Sequence, residues 1–320
     1  MEVGTILCYN QICESVRKRP GMYIGSMGER GLYQLIFSLT EELLSAAKEK
    51  TIALKLLPQH VLEFSCESYE AKKDTGSCND LTIASALGEL FEWQDEKQKI
   101  RTEKGRLISS DHEDVTARGM KLVWRADGSI FRNRELDYFI ILNRMTELAA
   151  LYPYTIYLSD GENRNKIVIP SGIEYFLKCD HSLFSANKVL NIEIDENQFT
   201  ARIAISFSRV HADTRKSYVN SQITQEGGTH VDGVLTGARK VLKRILLSYK
   251  NSLTPGNLVA YMNYVIHVEI EKPSWWGSTR RRLVNEEVKS IIQKHVEEQL
   301  YSFLKQDIQP LRSIYPGLFS

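Results

Sequence analysis

The residue types able to do chemistry are scattered along this chain rather than gathered. There are five cysteines, Cys8, Cys13, Cys66, Cys78 and Cys179, and seven histidines. No two cysteines form a C-x-x-C pair, and none joins a histidine at zinc-ligand spacing, so no metal centre on sulfur and imidazole is expected. An odd, dispersed set reads as reduced thiols of a cytoplasmic protein. His230 follows Gly227-Gly228-Thr229 and reads as a structural hydrogen-bonding residue beside a turn. Charge gathers in two places. Arg239, Lys240, Lys243 and Arg244 are spaced to share one helical face. Such a face either contacts nucleic-acid phosphates without regard to sequence or is a basic surface packed beside acidic residues. Arg280, Arg281 and Arg282 form a second basic spot beside Trp275 and Trp276, which either anchor a partner or pack into a core.

The elements that must position these residues follow from hydrophobic period. Helices are expected over 32–47, 81–90, 134–151, 231–249 and about 285–305, with a short one over 171–178. Alternation predicts strands over 51–66, interrupted at Pro58, around 99–107, and over 121–131, where an Asp-Gly turn follows. Residues 154–169 read as a hairpin on a second Asp-Gly turn. Further strands are expected over 189–223 and from Asn257 to Pro273. The polar segment 179–188 is the candidate boundary, giving domains over 1–180 and 188–320, each with strand runs followed by helices. This is an α+β domain pair.

Composition narrows the function classes. Hydrophobic residues make up 42% and charged residues 25% of the 320, and the net charge is +1. Any contact with DNA must therefore come from a local patch rather than a global field. No apolar run is long enough for a membrane span and no signal peptide is recognised, so a cytoplasmic protein without membrane contact is expected.

Three segments carry a family resemblance. ESVRKRPGMYIGSMGERGLYQLIFSL, residues 14–39, closely resembles the start of bacterial DNA gyrase and topoisomerase IV B subunits. QEGGTHVDGVLTGARKVL, residues 225–242, resembles their transducer segment, and PSWWGSTRRRLVNEEVKSII, residues 273–292, resembles the loop and helix carrying their Gln-Thr-Lys motif. The matches run in family order. The resemblance implies a GHKL α/β sandwich, shared with Hsp90 and histidine kinases, followed by a ribosomal-protein-S5-like transducer domain. It also implies partners: a homodimer, or a heterodimer with a gyrase- or topoisomerase-type subunit, and DNA held through Arg239, Lys240, Lys243 and Arg244. The family's metal-binding TOPRIM domain is not recognised, so DNA cleavage by this chain alone is not expected. Residues 1–13, with Ile6, Leu7, Tyr9 and Ile12, correspond to the family's arm that crosses a dimer.

Carried over position by position, the resemblance implies a degenerate ATP site. Hydrolysis needs a carboxylate to activate water, an oxygen ligand for Mg²⁺, a glycine-rich lid for the phosphates and a cation at the terminal phosphate. The family's catalytic glutamate falls on Ser38, which cannot serve as that base. Its Mg²⁺-binding asparagine falls on Glu42 and the preceding aspartate on Glu41. Glu42 either ligates a metal or, with Glu41, lies on a solvated helix face. Only Gly76 stands where a lid would be built, the adenine-reading motif is not recognisable near Glu67 and Ser68, and Gly119-Met120 replaces the family's Gly-Thr. The γ-phosphate lysine falls on Arg280, either an anion contact or a surface arginine. The expectation is a catalytically inactive paralogue of a type IIA topoisomerase B subunit, a scaffold or regulatory binding protein with no cofactor. The alternative is a subunit that binds ATP and Mg²⁺ and keeps nucleotide-dependent dimerisation.

Overall fold

In the computed structural model, residues 3–70, 79–111, 118–178, 188–208, 214–249, 253–277 and 280–316 are described. The chain divides into unit 1, Met1–Pro170, and unit 2, Ser171–Ser320.

Unit 1 begins with α1 (Val3–Lys18), α2 (Gly21–Ile24) and α3 (Glu29–Ala46). Leu32, Leu35, Ile36, Leu39 and Leu43 recur at helical spacing along α3 and are all buried. Burying each contributes roughly 1.5–3 kcal/mol, which seats the helix on the sheet. The strands are β1 (Thr51–Leu57), β2 (Val61–Cys66), β3 (Gly88–Gln94), β4 (Lys99–Glu103), β5 (Arg106–Asp111), β6 (Met120–Ala126), β7 (Thr155–Ser159) and β8 (Arg164–Ile167). They form one sheet in the order β5-β4-β3-β6-β2-β1-β7-β8, antiparallel except for the β1–β7 pair. Two helices, α4 (Asp80–Leu87) and α5 (Tyr138–Leu151), complete the unit.

Two local expectations shift. The stretch 81–90 is not all helix, because Gly88 opens β3 and pairs with Ala126 of β6. A Cβ at Gly88 would lie 2.8 Å from Nε1 of Trp124, which itself donates to the Ala84 carbonyl. The helix expected over 134–151 starts at Tyr138, because the Asp137 side chain accepts from the Phe139 and Ile140 amides and caps it. That start turns Phe139 outward, 65% exposed, while Tyr138, Ile141, Met145 and Leu148 are buried.

The N-terminal segment docks on its own unit from Ile12 onward. Cys13 and Val16 are buried in the unit 1 core, with Ile12 packed against it. The side chains of Ile6, Leu7 and Tyr9 lie outside the described residues.

Unit 2 contains α6 (Tyr175–Lys178), β9 (Leu190–Glu196), β10 (Phe199–Phe207), β11 (Arg215–Val219), β12 (Gln222–Ile223), α7 (Thr229–Ser248), α8 (Pro255–Val259), β13 (Met262–Ile270), α9 (Glu286–Gln306) and α10 (Gln309–Ile314). Its sheet runs β12-β11-β13-β10-β9, with β11 and β13 parallel. The segment 172–178 joins this unit because Phe176 stacks on Tyr218 at 5.9 Å and Lys216 lies 4.6 Å over its ring. Residues 179–187, most of the expected boundary, lie outside the described residues. The strand expected from Asn257 starts only at Met262, because Thr254, Pro255 and Asn257 form a capping box that nucleates α8. The helices α7 and α9 approach closely at Gly233 and Gly237, where a Cβ would lie 2.8 Å from the carbonyls of Lys289 and Gln293. Glycine is what permits that backbone contact.

No described helix is long and apolar enough to cross a membrane. Among the described residues no group of three His, Cys, Asp or Glu is placed to hold a metal ion.

Candidate nucleotide-binding site

The residues singled out in unit 1 lie along α3 near its C-terminal end. Ser38 is half-buried, and its hydroxyl donates to the Leu35 carbonyl of its own helix at 3.3 Å. Glu41 and Glu42 do not form the solvated face expected as one reading of the sequence. Both are half-buried and engaged. Glu41 accepts from Arg144 of α5 at 2.6 Å, and Arg144 also reaches Glu147 at 3.0 Å. Arg144 is only 12% exposed, and its guanidinium lies 5.8 Å over the Phe37 ring. Burial alone would lower its pKa, but Glu41 and Glu147 outweigh burial and raise it. The guanidinium and its carboxylates thus form a charged cluster inside a largely apolar layer.

Glu42 turns the other way. Its Oε2 accepts from the Leu81 amide at 3.1 Å, in the first turn of α4. The first amides of a helix lack partners and carry partial positive charge, so a carboxylate there satisfies a donor and complements the dipole. Asn79 satisfies a neighbouring donor, accepting from the Thr82 amide at 2.9 Å. Tyr69 lies at the same junction. It pairs with Ala47 in an isolated bridge and sets its ring edge-on to Trp93 at 5.2 Å. Burial, then the negative charges of Glu42 and Asp95, push its phenol up to about 12. Glu41 and Glu42 are therefore both engaged within the protein, the first by the Arg144 side chain and the second by the Leu81 backbone amide.

The other carry-over positions fare unevenly. Gly119 has φ 76°, and a Cβ there would lie 2.0 Å from the Cys66 carbonyl, so the chain passes directly over the end of β2. Glu67 is exposed and Ser68 half-buried, its carbonyl accepting from the Lys48 amide at 3.1 Å. Gly76 lies outside the described residues.

In unit 2, Arg280 is exposed with φ 53°, and its neighbours 278 and 279 lie outside the described residues. Arg281 and Arg282 turn inward to Glu226 at 3.8 Å and Asp232 at 3.4 Å. Trp275 packs against the unit 2 core, whereas Trp276 is 71% exposed. On α7, Arg239, Lys240, Lys243 and Arg244 are all exposed. Lys240 pairs with Glu297 of α9 at 2.9 Å, and Arg244 lies 3.8 Å over the Tyr301 ring. Arg239 and Lys243 have no such partner among the described residues. The helix thus combines both readings of its sequence: two of its cations brace α9 and two face outward. His230 is buried, with Nε2 3.0 Å from the Thr224 hydroxyl, and burial pushes its pKa down to about 3.

Residues 169–318, nearly the whole of unit 2, match the family model for DNA gyrase B. The DNA gyrase B subunit of Treponema denticola is 25% identical over 92% of this chain. Unit 2 thus matches the DNA gyrase B family, and the chain as a whole is similar to DNA gyrase B subunits. A chloroplastic and mitochondrial gyrase B from Oryza sativa is 26% identical over 94% of it. The chain spans about half the length of these relatives, 55% and 50%. The Treponema denticola alignment runs over 357 residues, longer than the 320 of this chain, so that gyrase carries segments with no counterpart here. Among solved structures, the gyrase B subunit of Myxococcus xanthus superposes with a TM-score of 0.77 over 97% of this chain and 99% of its own, at 20% identity. A structure titled topoisomerase IV ATP binding domain, from Francisella tularensis, gives 0.76 over 95% of both chains at 21% identity. These likenesses establish the α+β fold, a GHKL sandwich followed by the S5-like domain.

Sequence reasoning missed Arg144. Ile140 and Leu148 stand four residues before and after it, and an arginine between apolar residues at that spacing signals a paired, half-buried cation. The engagement of Glu42 by the Leu81 amide had no such signal, because it depends on where the chain re-enters the fold at Asn79.

Proposed function

We propose that this gyrase-B-type chain keeps the scaffold of its family without hydrolysing ATP, and acts as a scaffold or regulatory subunit. The observation that carries this reading is the state of α3. Ser38 offers a hydroxyl in place of a water-activating carboxylate, and Glu42 caps α4. For Glu42 to hold Mg²⁺ it would have to leave the Leu81 amide and bring a full negative charge beside the triphosphate. These residues do not fit an ATP–Mg²⁺ complex, and no hydrolytic step is derived through one. The partners this reading supports are a second copy, another gyrase- or topoisomerase-type subunit, and DNA held by sequence-independent phosphate contacts from Arg239 and Lys243.

The second reading is an ATP-binding subunit of a type II topoisomerase that retains nucleotide-dependent dimerisation. The comparisons favour it, since the similar structures include an ATP binding domain from Francisella tularensis and a 43K ATPase domain of Thermus thermophilus gyrase B. Under it, Arg280 meets the terminal phosphate. The two readings separate in a thermal-shift titration with a non-hydrolysable ATP analogue and Mg²⁺, paired with light scattering. A ligand at about a hundred times its Kd stabilises by about 2.7 kcal/mol, a shift of several degrees. The first reading predicts no shift and a mass independent of nucleotide. A saturable shift with nucleotide-driven dimerisation establishes the second.

A further inference from the structure

A groove of about 1340 Å³ lies in unit 1 between α1 and the β4–β5 hairpin, with neither Ser38 nor Glu42 in its lining. Six cations line it against three carboxylates, Glu14, Glu89 and Glu103. Several of the cations are engaged. Arg17 binds Asp127 at 2.6 Å, Arg101 binds Glu92 and Glu103, and Arg125 lies 3.4 Å from Glu89. Lys104 and Arg106, at the hairpin tip, are exposed and have no ion-pair partner among the described residues. The Arg125 Nε is buried in the groove wall, and its neighbour there is the Glu89 carboxylate of that ion pair. The surplus charge is positive, so the occupant it complements is acidic.

The hairpin adds an apolar contact. β5 is an edge strand of the sheet. Its Leu107 pairs with Thr102 and its Ser109 with Arg101, which leaves Ile108 as the extra residue of a bulge, 56% exposed within the groove. A bulge and flanking cations protect an edge against strand addition, so recognition here runs through side chains rather than backbone ladders. Leu90, Leu107 and Ile108 give the groove an apolar strip that suits the side chains of a polypeptide better than a continuous phosphate backbone. We propose that the groove between α1 and the β4–β5 hairpin docks an acidic segment of a partner protein, with Lys104 and Arg106 receiving its carboxylates and Ile108 an aliphatic side chain.

The test uses the full chain and a fluorescein-labelled dodecapeptide of Asp-Glu pairs alternating with leucines, followed by anisotropy. Its controls are the Asn/Gln version of the peptide and a single-stranded DNA of the same length. Expected is saturable binding of the acidic peptide, weakened at least about tenfold in Lys104→Glu/Arg106→Glu and several-fold in Ile108→Ser. The neutral peptide should not bind. Circular dichroism confirms that the variants, all at exposed positions, keep the fold. Three results overturn the proposal: no saturable binding up to about 1 mM, binding unchanged by the charge reversal, or DNA outcompeting the peptide at the same residues. None of them depends on whether α3 binds nucleotide.

Discussion

Replacing Arg144 with alanine is expected to destabilise unit 1 by about 3–5 kcal/mol, read from urea unfolding. The substitution leaves Glu41 and Glu147 facing a layer that excludes most water, with side-chain exposures of 15% and 26%. The cost is mainly that of stranded carboxylates, not of the lost attraction. A cycle with Glu41→Gln separates the two. Once Glu41 is neutral, removing Arg144 should cost clearly less, and the double variant should be more stable than the sum of the single losses implies. A loss below about 1 kcal/mol in the single variant would place Arg144 among exposed ion pairs of little consequence.

Unit 2 is expected to lose about 4 kcal/mol of stability between pH 7 and pH 5. His230 and His267 are both buried, and their pKa values fall to about 3. Burial is the main cause for each. For His267 the Arg202 guanidinium, 3.0 Å from Nδ1, adds to it, and the Asn220 carbonyl opposes it weakly. Both rings are neutral in the folded protein, whereas in the unfolded chain they titrate near 6.5. Between those values the unfolded state binds more protons, so stability falls as pH falls from about 6.5 toward 3. Each histidine contributes about 1.4 kcal/mol per pH unit in that window, or about 2 kcal/mol by pH 5. Denaturant unfolding at a series of pH values measures the slope. His267→Asn should halve it, and a flat profile across pH 7 to 5 would mean that both rings are already charged or solvated in the folded state.

Much of this architecture is legible in the sequence. Helical period locates α3, α7 and α9 because their apolar stripes face a core, and the Asp-Gly turn in 154–169 marks the β7–β8 hairpin. The losses come where a local signal competes with the period. The Asp137 cap starts α5 at Tyr138, four residues after the expected start at 134, and Thr254 with Pro255 inserts α8 into what reads as a strand. The site was legible only as positions. The expectation that Ser38 and Glu42 stand where the family places a base and a metal ligand rests on aligned spacing alone. That Glu42 meets the Leu81 amide and Glu41 meets Arg144 are long-range pairings, across 39 and 103 residues, which no local pattern encodes. The basic face of α7 was legible as a face. Its division into Lys240 and Arg244 on α9, and Arg239 and Lys243 outward, required the neighbouring helix.

The claim that α3 does not support hydrolysis is tested most directly by phosphate release from Mg²⁺-ATP, measured on the full chain with and without linear DNA. The account predicts a rate indistinguishable from buffer, unchanged by Ser38→Glu alone because Glu42 remains on the Leu81 amide. Saturable, Mg²⁺-dependent release approaching about 1 per second, and abolished by Glu42→Ala, would contradict it.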